Sequence, residues 1–405
     1  MSARRIVTAL LRRVRRGEIV VVEDGRRESF GDPGADLRAT VHVHDRGVWR
    51  SVLRGSTGLA ESYAAGRWDC DDVLALIRIA ARNVRGLDRL RERFAWLLRP
   101  GQRLVPRNTR RGSRRNIAAH YDLGNDLFSL FLDETMTYSC AVFEAPGMTL
   151  EQAQRAKLDR ICERLELGPD DHLLEIGTGW GGLAIHAART TGCRVTTTTI
   201  SREQHDFARA RVRAAGLEDR IELLLEDYRD IDGRYDKLVS IEMIEAVGWQ
   251  YLDAYFEHCS GLLTPDGLML LQAITIDDRA FHVEKASRSF ANTMVFPGGC
   301  LPSVEALARS VAGTDLRMTW LEDIGPDYAE TIAHWAERFE SNAAQAAELG
   351  YDDRFRRLWR LYLAYTEAGF REGRIGDVQL LLAKPGRLGT RAEQEAPALS
   401  LAASG

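Results

Sequence analysis

The sequence contains no run of about 18 or more apolar residues, so no transmembrane helix is predicted. Its opening, MSARRIVTALLRRVRRGE, has neither a long apolar core nor a small-residue cleavage site, and no secretory signal is expected. The six cysteines, at 70, 140, 162, 193, 259 and 300, stand apart without a CxxC pair. That spacing indicates neither a zinc knuckle nor a disulfide framework, predicts no metal, and fits a reducing cytoplasm. Charge of one sign is also scarce, the net being only -4 although 28% of the residues are charged.

The charge that is present is unevenly placed. Arginines gather at 4, 5, 12, 13, 15 and 16, and again at 99, 103, 107, 110, 111, 114 and 115. Such clusters attract anionic surfaces, whether phosphate backbones or phospholipid head groups, or else form solvated helix faces and a charged linker. A chain of 405 residues exceeds a typical single domain, and two domains are the natural expectation.

Residues 3 to 16 can form a basic helix with Ile6, Val7, Leu10, Leu11 and Val14 near one face, a pattern shared by interfacial anchors and by helices that pack on their own domain. Extended segments follow, GEIVVVEDG and then LRATVHVHDRG, where apolar residues alternate with Arg38, Thr40, His42 and His44. The two histidines share a face but have no third ligand nearby, so they read as solvent-facing. Asp72 to Leu98 is helical in character, and Pro100, Gly101 and Pro106 then break the pattern. A small α/β domain is therefore placed at 1–98, a basic linker at 99–115, a second domain at 116–385 and a flexible tail at 386–405.

The second domain opens with an aromatic-rich segment, helical until Asp133, followed by the amphipathic TLEQAQRAKLDRICERLEL. LLEIGTGWGG, from Leu173 to Gly182, is an apolar strand that stops at closely spaced glycines and gives way to a helix. Further strands are read at CRVTTTTIS, IELLLEDYRD, YDKLVSIEMIEAVG, GLMLLQAIT and VQLLLAK, with Ser201 and Gln204 forming a capping box before the helix after the second. The signal from Phe281 to Gly325 is mixed. Strand and helix alternation predicts a Rossmann-like α/β domain with a mainly parallel sheet.

A dinucleotide site would carry an acid about 20 residues past the glycine turn to hold a ribose diol. Thr196 to Thr199 stand there instead, which disfavours hydride transfer. Glu175 before the turn matches the E/DxGxG pattern of S-adenosylmethionine (SAM) methyltransferases. HYDLGNDLFSLFLDETMTYSCAVF, LLEIGTGWGG, TTTTISREQ, EDYRD, SIEMIEAVG, FPGGCLPS and WLEDIGPDYAETIAHWAERF occur in order over residues 116–385. Together they resemble the cyclopropane fatty acid synthase family of SAM-dependent methyltransferases. The first domain, with SVLRGSTGLAESYAAGRWDCDD, looks like the amino-terminal lipid-binding domain of its phospholipid-acting members.

The resemblance implies cofactor contacts at Tyr138, Ser139, Gly177, Gly179, Thr199, Gln204, Asp227 and Tyr228. It further implies bicarbonate as general base, held by Cys140, Glu245 and Tyr328 and by a strand-five position where this chain has Gln272 in place of histidine. Gln can hydrogen-bond an anion but carries no proton at neutral pH, so the substitution bears on both the base and the product. Methyl transfer to a double bond leaves a carbocation whose fate depends on where a base removes a proton. The faces of Phe128, Phe131, Trp180, Trp249 and Phe296 could stabilise that cation, or these rings could be core and acyl-channel lining.

The resulting expectation is a C-methyltransferase acting on unsaturated acyl chains of phospholipids to give cyclopropane fatty acids. The alternative is a 10-methylene-stearoyl product, favoured by the likeness of EMIEAVG and LQAIT to the branch that makes 10-methyl stearate. More distant readings are a methyltransferase for a small soluble substrate or RNA, and a non-catalytic lipid-binding module. The expected partners are a phospholipid surface and an unsaturated acyl chain, with no nucleic acid; the resemblance adds a homo-oligomer and a reductase that completes a methyl branch. The expected location is cytoplasmic, peripheral to the inner face of the cell membrane.

Overall fold

The computed structural model describes residues 2–93, 124–285 and 289–387, with the side chains of 85–93 left aside. The basic run at 99–115, the first residues of the aromatic segment and the tail from 388 lie outside the described residues.

The first unit begins with α1 (Ala3–Leu11), capped by the Ser2 side chain, and continues β1 (Glu18–Glu23), β2 (Arg26–Gly31), β3 (Arg38–Val43), α2 (Val48–Val52), α3 (Gly55–Ala64), β4 (Trp68–Cys70) and α4 (Val73–Arg93). The sheet order is β2-β1-β3-β4, with β1 and β3 parallel and the outer pairs antiparallel. Sequence reading passed over β2. Its residues are mostly polar because it is an edge strand on which Phe30 alone is buried, and the signal for it was the Asp24-Gly25 turn. Both turn residues take positive φ, 49° and 73°, as a tight hairpin requires. His42 is exposed, and His44 pairs with Asp69 at 2.8 Å.

The second unit runs α5 (Asn125–Ser129), α6 (Leu150–Arg164), β5 (His172–Ile176), α7 (Gly182–Thr191), β6 (Arg194–Thr198), α8 (Arg202–Ala214), β7 (Ile221–Leu224), β8 (Tyr235–Ile241), α9 (Leu252–Leu262), β9 (Leu263–Ile276) and α10 (Asp278–Glu284). It ends with α11 (Val304–Ala312), β10 (Arg317–Asp323), α12 (Gly325–Ser341), α13 (Ala343–Glu348), α14 (Asp353–Arg371) and β11 (Ile375–Ala383). Its seven-stranded sheet has the order β10-β11-β9-β8-β5-β6-β7. Strands β7, β6, β5, β8 and β9 are parallel, β11 runs antiparallel to β9, and β10 is antiparallel to β11. The chain winds outward from β5 through β6 to β7, then returns to β8 on the other flank of β5. That reversal opens a crevice at the carboxyl ends of β5 and β8, where open α/β sheets bind ligands.

Three local expectations need correction. The aromatic segment is helical only over Asn125–Ser129 among its described residues, because Phe128 and Phe131 turn into a core of rings with Tyr138, Trp335 and Trp359. The mixed region contains α10, a π-helical turn at Ala291–Val295, α11 and β10. β10 alternates outward and inward along RMTWLED, with Trp320 covered by the guanidinium of Arg164 at 4.1 Å. Finally, Ser201 caps α8, but Gln204 makes no reciprocal bond; the full capping box belongs to Thr149 and Gln152 at the start of α6.

Helix α14 joins the two units. Arg357 reaches Tyr63 O at 2.7 Å, Trp68 O at 2.8 Å and the Asp69 carboxylate at 2.7 Å. Beyond its end, Glu372 accepts from Arg78 at 2.8 Å and Arg82 at 2.9 Å, both on α4. These bonds hold the inner face of the small sheet over the mouth of the crevice.

Candidate active site

Strand β5 ends at Ile176, and Gly177 and Gly179 follow with φ of 107° and 52°, a region that costs side-chain-bearing residues energy. The amides of Gly177 and Thr178 both donate to Thr198 O, at 3.0 and 3.1 Å, tying the turn to β6. A Cβ on Gly179 would meet nothing within 4 Å, so bare backbone faces open space there. Beneath the turn, Glu175 accepts the Thr197 hydroxyl at 2.6 Å, and burial pushes its carboxyl up to about 8.

All eight residues expected to touch the cofactor line one cavity of about 1530 Å³. Thr199 donates its hydroxyl to Gln204 Oε1 at 2.9 Å. Asp227 caps a short 3-10 turn, and its carboxylate is held by Arg229 at 2.7 and 2.8 Å. The Tyr228 ring stands edge-on to Tyr255 with centroids 5.4 Å apart. Tyr138 and Tyr362 share a hydroxyl bond at 2.7 Å, and Ser139 Oγ accepts from the buried Lys157 ammonium at 2.6 Å. The glycine cradle and these polar groups suit SAM, which would supply an electrophilic methyl; further polar residues gather on the β8 side of the cavity. No cluster of three metal-ligating side chains occurs among the described residues.

On that side the structure brings together Cys140, Gln272 and Tyr328 around a residue the sequence reading missed, Glu242. Glu242 is the first residue after β8 and sits at φ 48°, where a non-glycine residue is strained. Its Oε1 accepts from the Cys140 amide at 2.8 Å and Gln272 Nε2 at 2.7 Å, and its Oε2 accepts the Tyr328 hydroxyl at 2.6 Å. Cys140 contributes backbone rather than thiol. Its Sγ is fully buried against Ala141 O and Ile324 O, and burial holds the thiol well above its ordinary pKa.

Gln272 also donates to Asp377 Oδ2 at 2.9 Å, while its Oε1 accepts from Gln379 Nε2 at 3.0 Å. That last bond fixes which end of the amide faces the acids. Asp377 Oδ1 and Glu245 Oε2 are buried with no hydrogen-bond donor. Burial and the neighbouring Glu242 charge raise the Asp377 carboxyl well above its ordinary value, and the same causes bring Glu245 up to about 8. Glu242 is raised too, burial outweighing its hydrogen bonds. Lys157 is the cation in this acidic cluster, its own pKa lowered by burial.

Glu245 lines the cavity as expected, but its Oε1 is taken by the Ile274 amide at 2.6 Å rather than by the Cys140 and Tyr328 donors. Those donors are occupied by Glu242, so the residues present do not fit a bound bicarbonate. Cys140 and Gln272 lie behind the cavity wall, whereas Glu242, Glu245 and Tyr328 line it. Of the aromatic candidates, Trp180 and Phe296 line the cavity, Phe128 and Phe131 are core, and Trp249 lies under Lys285 with the ammonium 5.0 Å from its ring. The sequence signal for Glu242 was a second acid three residues before Glu245, just past an apolar strand.

The cavity does not stop at the crevice. It continues between the two units to Val41 and Val43 on β3, Trp49 on α2 and Leu76, Ile77 and Ala81 on α4. Its volume exceeds the roughly 300–1,000 Å³ of an ordinary small-molecule pocket, leaving room for an apolar chain beside a nucleoside cofactor.

Comparison with known proteins agrees with this geometry. Residues 108–380 match the family described as mycolic acid cyclopropane synthetase. The chain is 41% identical over 380 residues to the tuberculostearic acid methyltransferase UfaA1 of Mycobacterium tuberculosis, covering 91% of this chain and 88% of that protein. It is 38% identical over 353 residues to the cyclopropane-fatty-acyl-phospholipid synthase of Escherichia coli, covering 86% and 87%. The crystal structure of mycolic acid cyclopropane synthase CmaA1 complexed with SAH and CTAB superposes with a TM-score of 0.63 at 34% identity, over 67% of this chain and 98% of that one. The chain thus belongs to the mycolic acid cyclopropane synthetase family, and it is a SAM-dependent methyltransferase.

Proposed function

We propose that this enzyme methylates the double bond of a mono-unsaturated acyl chain carried on a phospholipid, and that Glu242 removes the proton to leave a methylene branch. The observation that carries this reading is the Glu242 carboxylate seated on Cys140 N, Gln272 Nε2 and Tyr328 OH at the cavity wall. The name of the tuberculostearic acid methyltransferase relative points to the same branched product class.

SAM, when bound, supplies an electrophilic methyl whose bond to sulfur breaks as the alkene electrons form the new carbon-carbon bond. The neighbouring alkene carbon is left as a cation, in a cavity whose lining includes the aromatic residues Trp180 and Phe296. If a base takes a proton from the new methyl at once, the ring closes to a cyclopropane. If a hydride first migrates from the methylated carbon to the cation, loss of the same methyl proton leaves a methylene. The timing of the base therefore selects the product. Glu242 is pinned by three donors on a strained turn, and it cannot swing toward the methyl without loosening them. A base held back in this way favours the hydride shift. Burial raises the Glu242 carboxyl above its ordinary value, which makes it a stronger base when ionised, while Glu245, raised to about 8, holds its proton near pH 7.

The long cavity supports an acyl substrate, and no helix among the described residues is long and apolar enough to cross a membrane. A phospholipid substrate would bring the enzyme to the inner face of the cell membrane as a peripheral protein, and a reductase would have to act on the methylene to complete a methyl branch. Direct ring closure, giving the product class named for the Escherichia coli relative, is the competing outcome. The test is expression in a host rich in oleoyl phospholipids, using oleate deuterated at both alkene carbons. A vinylidene signal with deuterium moved to the adjacent carbon is expected by magnetic resonance of the extracted lipids. An upfield ring-methylene signal without migration would overturn the product, and no SAM-dependent adduct would overturn the function.

A further inference from the structure

The small unit carries a surface that the catalytic cycle leaves unexplained. Leu10 on α1 and Leu53 at the end of α2 are 49% and 45% exposed, and the two helices pack against each other. Each exposed leucine is followed or preceded by a residue that lines the cavity, Leu11 in one case and Val52 in the other. The two helices are thus apolar on both sides, one toward the cavity and one toward solvent.

The charge on α1 and the residues that follow it is of one sign. Residues 2–16 contain six arginines and no acid. Arg4 and Arg12 are engaged by Glu23 and Glu28, but Arg5, Arg13, Arg15 and Arg16 form no ion pair among the described residues, nor does Arg50 on α2. Exposed leucines on helices that carry or adjoin unpaired arginines are complementary to one surface in particular, an anionic bilayer. It offers phosphates at the rim and hydrocarbon beneath.

We propose that the α1–α2 edge is the face laid on an anionic phospholipid surface. Leu10 and Leu53 enter the acyl layer, the unpaired arginines meet headgroup phosphates, and an acyl chain passes from the bilayer between the two helices into the cavity. The route it supplies deepens the lipid reading above and rests on that reading for its substrate. Continuity is the argument for entry here: the inner faces of the same helices, at Val7, Leu11, Val48 and Val52, already form the cavity wall.

The test uses the full chain and vesicles of dioleoyl phosphatidylglycerol or phosphatidylcholine. Wild-type protein is expected to co-sediment with the anionic vesicles, and to do so less as salt rises from low to high concentration. The double variant Leu10→Asp/Leu53→Asp should reduce vesicle binding at least tenfold, with unchanged thermal unfolding, SAM affinity and rate on detergent-dispersed lipid. The milder Leu10→Ser/Leu53→Ser pair guards against misfolding and should show a smaller loss of the same kind. Arg13→Glu/Arg15→Glu should weaken binding several-fold and flatten its salt dependence. Wild-type-like vesicle binding by the leucine variants would overturn the proposal, as would a change in oligomeric state instead of vesicle binding, which would assign the face to a second copy. If the vesicles bind by this edge but no acyl chain is methylated, the functional reading falls and the docking face stands. Methylation in detergent with vesicle binding indifferent to both leucines gives the reverse.

Discussion

Gln272 on β9 and Glu242, the first residue past the adjacent β8, meet at 2.7 Å, amide to carboxylate. Strand pairing delivers the contact: Ile241 is in register with Gln272, and the Glu242 amide donates to Gln272 O at 2.9 Å. Across β11, Gln379 lies opposite Gln272 and fixes the amide's orientation. The proposed base is therefore positioned by main-chain geometry, the locked Gln272 amide and the Tyr328 hydroxyl, with little freedom left to it.

The first prediction separates the two glutamates. Glu242→Gln should leave SAM affinity by calorimetry nearly unchanged while slowing single-turnover methylation by about 10² to 10⁴, the usual contribution of a positioned base. Glu245→Gln should cost far less, since a neutral carboxyl is replaced by a neutral amide. Equal losses in the two variants would return the role to Glu245.

Gln272→Leu removes two N–H groups from two buried carboxylates at once. Leaving buried acceptors short of donors costs about 1–3 kcal/mol, so a lower midpoint of urea unfolding is expected, with turnover falling as well. Asp377→Asn should behave differently. It removes a buried acid crowded by Glu242 and supplies a neutral side chain, so stability at pH 8 should be retained or improved. A midpoint lowered as far as in Gln272→Leu would show that Asp377 must keep its carboxyl.

The glycine turn was legible because everything that makes it is local: an apolar strand, an acid, and glycines at positions of positive φ within ten residues. The acid enclosed by the donors that resemblance had named was not. Cys140, Gln272 and Tyr328 are separated by long stretches of chain and converge only when β8, β9 and the start of α12 assemble, and nothing in SIEMIEAVG says which acid they will surround. Resemblance pointed to Glu245, whereas the three donors meet on Glu242. Strands β2 and β10 were missed for a different reason. Both are sheet edges, so their outward residues are polar and only alternation or a turn signal marks them.

A buried acid makes stability depend on pH. Glu175 titrates at about 8 when folded against an ordinary 4.5, so between those values the folded chain holds a proton that the unfolded chain releases. Its contribution is therefore fully present below about 4.5 and is lost as pH rises toward 8, amounting to a few kcal/mol at the upper end by order of magnitude. Glu175→Gln mimics the neutral acid and can still accept from Thr197. Calorimetric melting of the variant should match wild type near pH 5 and exceed it near pH 8. A constant gap across that range would mean that Glu175 is ionised in the folded enzyme.

The far end of the cavity should set which chains are accepted. Ala81 on α4 lines it and is only partly buried, so Ala81→Phe can place a ring in the cavity with limited strain on the core. SAM affinity should be unchanged, because none of the residues expected to touch the cofactor lies on α4. For detergent-dispersed lipids, kcat/KM should fall about tenfold for long acyl chains, the scale of a steric misfit in an apolar pocket, and much less for shorter ones. A uniform fall across chain lengths would indicate a damaged fold. An unchanged preference would mean that the acyl chain follows another path out of the crevice, and that the small sheet serves the enzyme only as a cover.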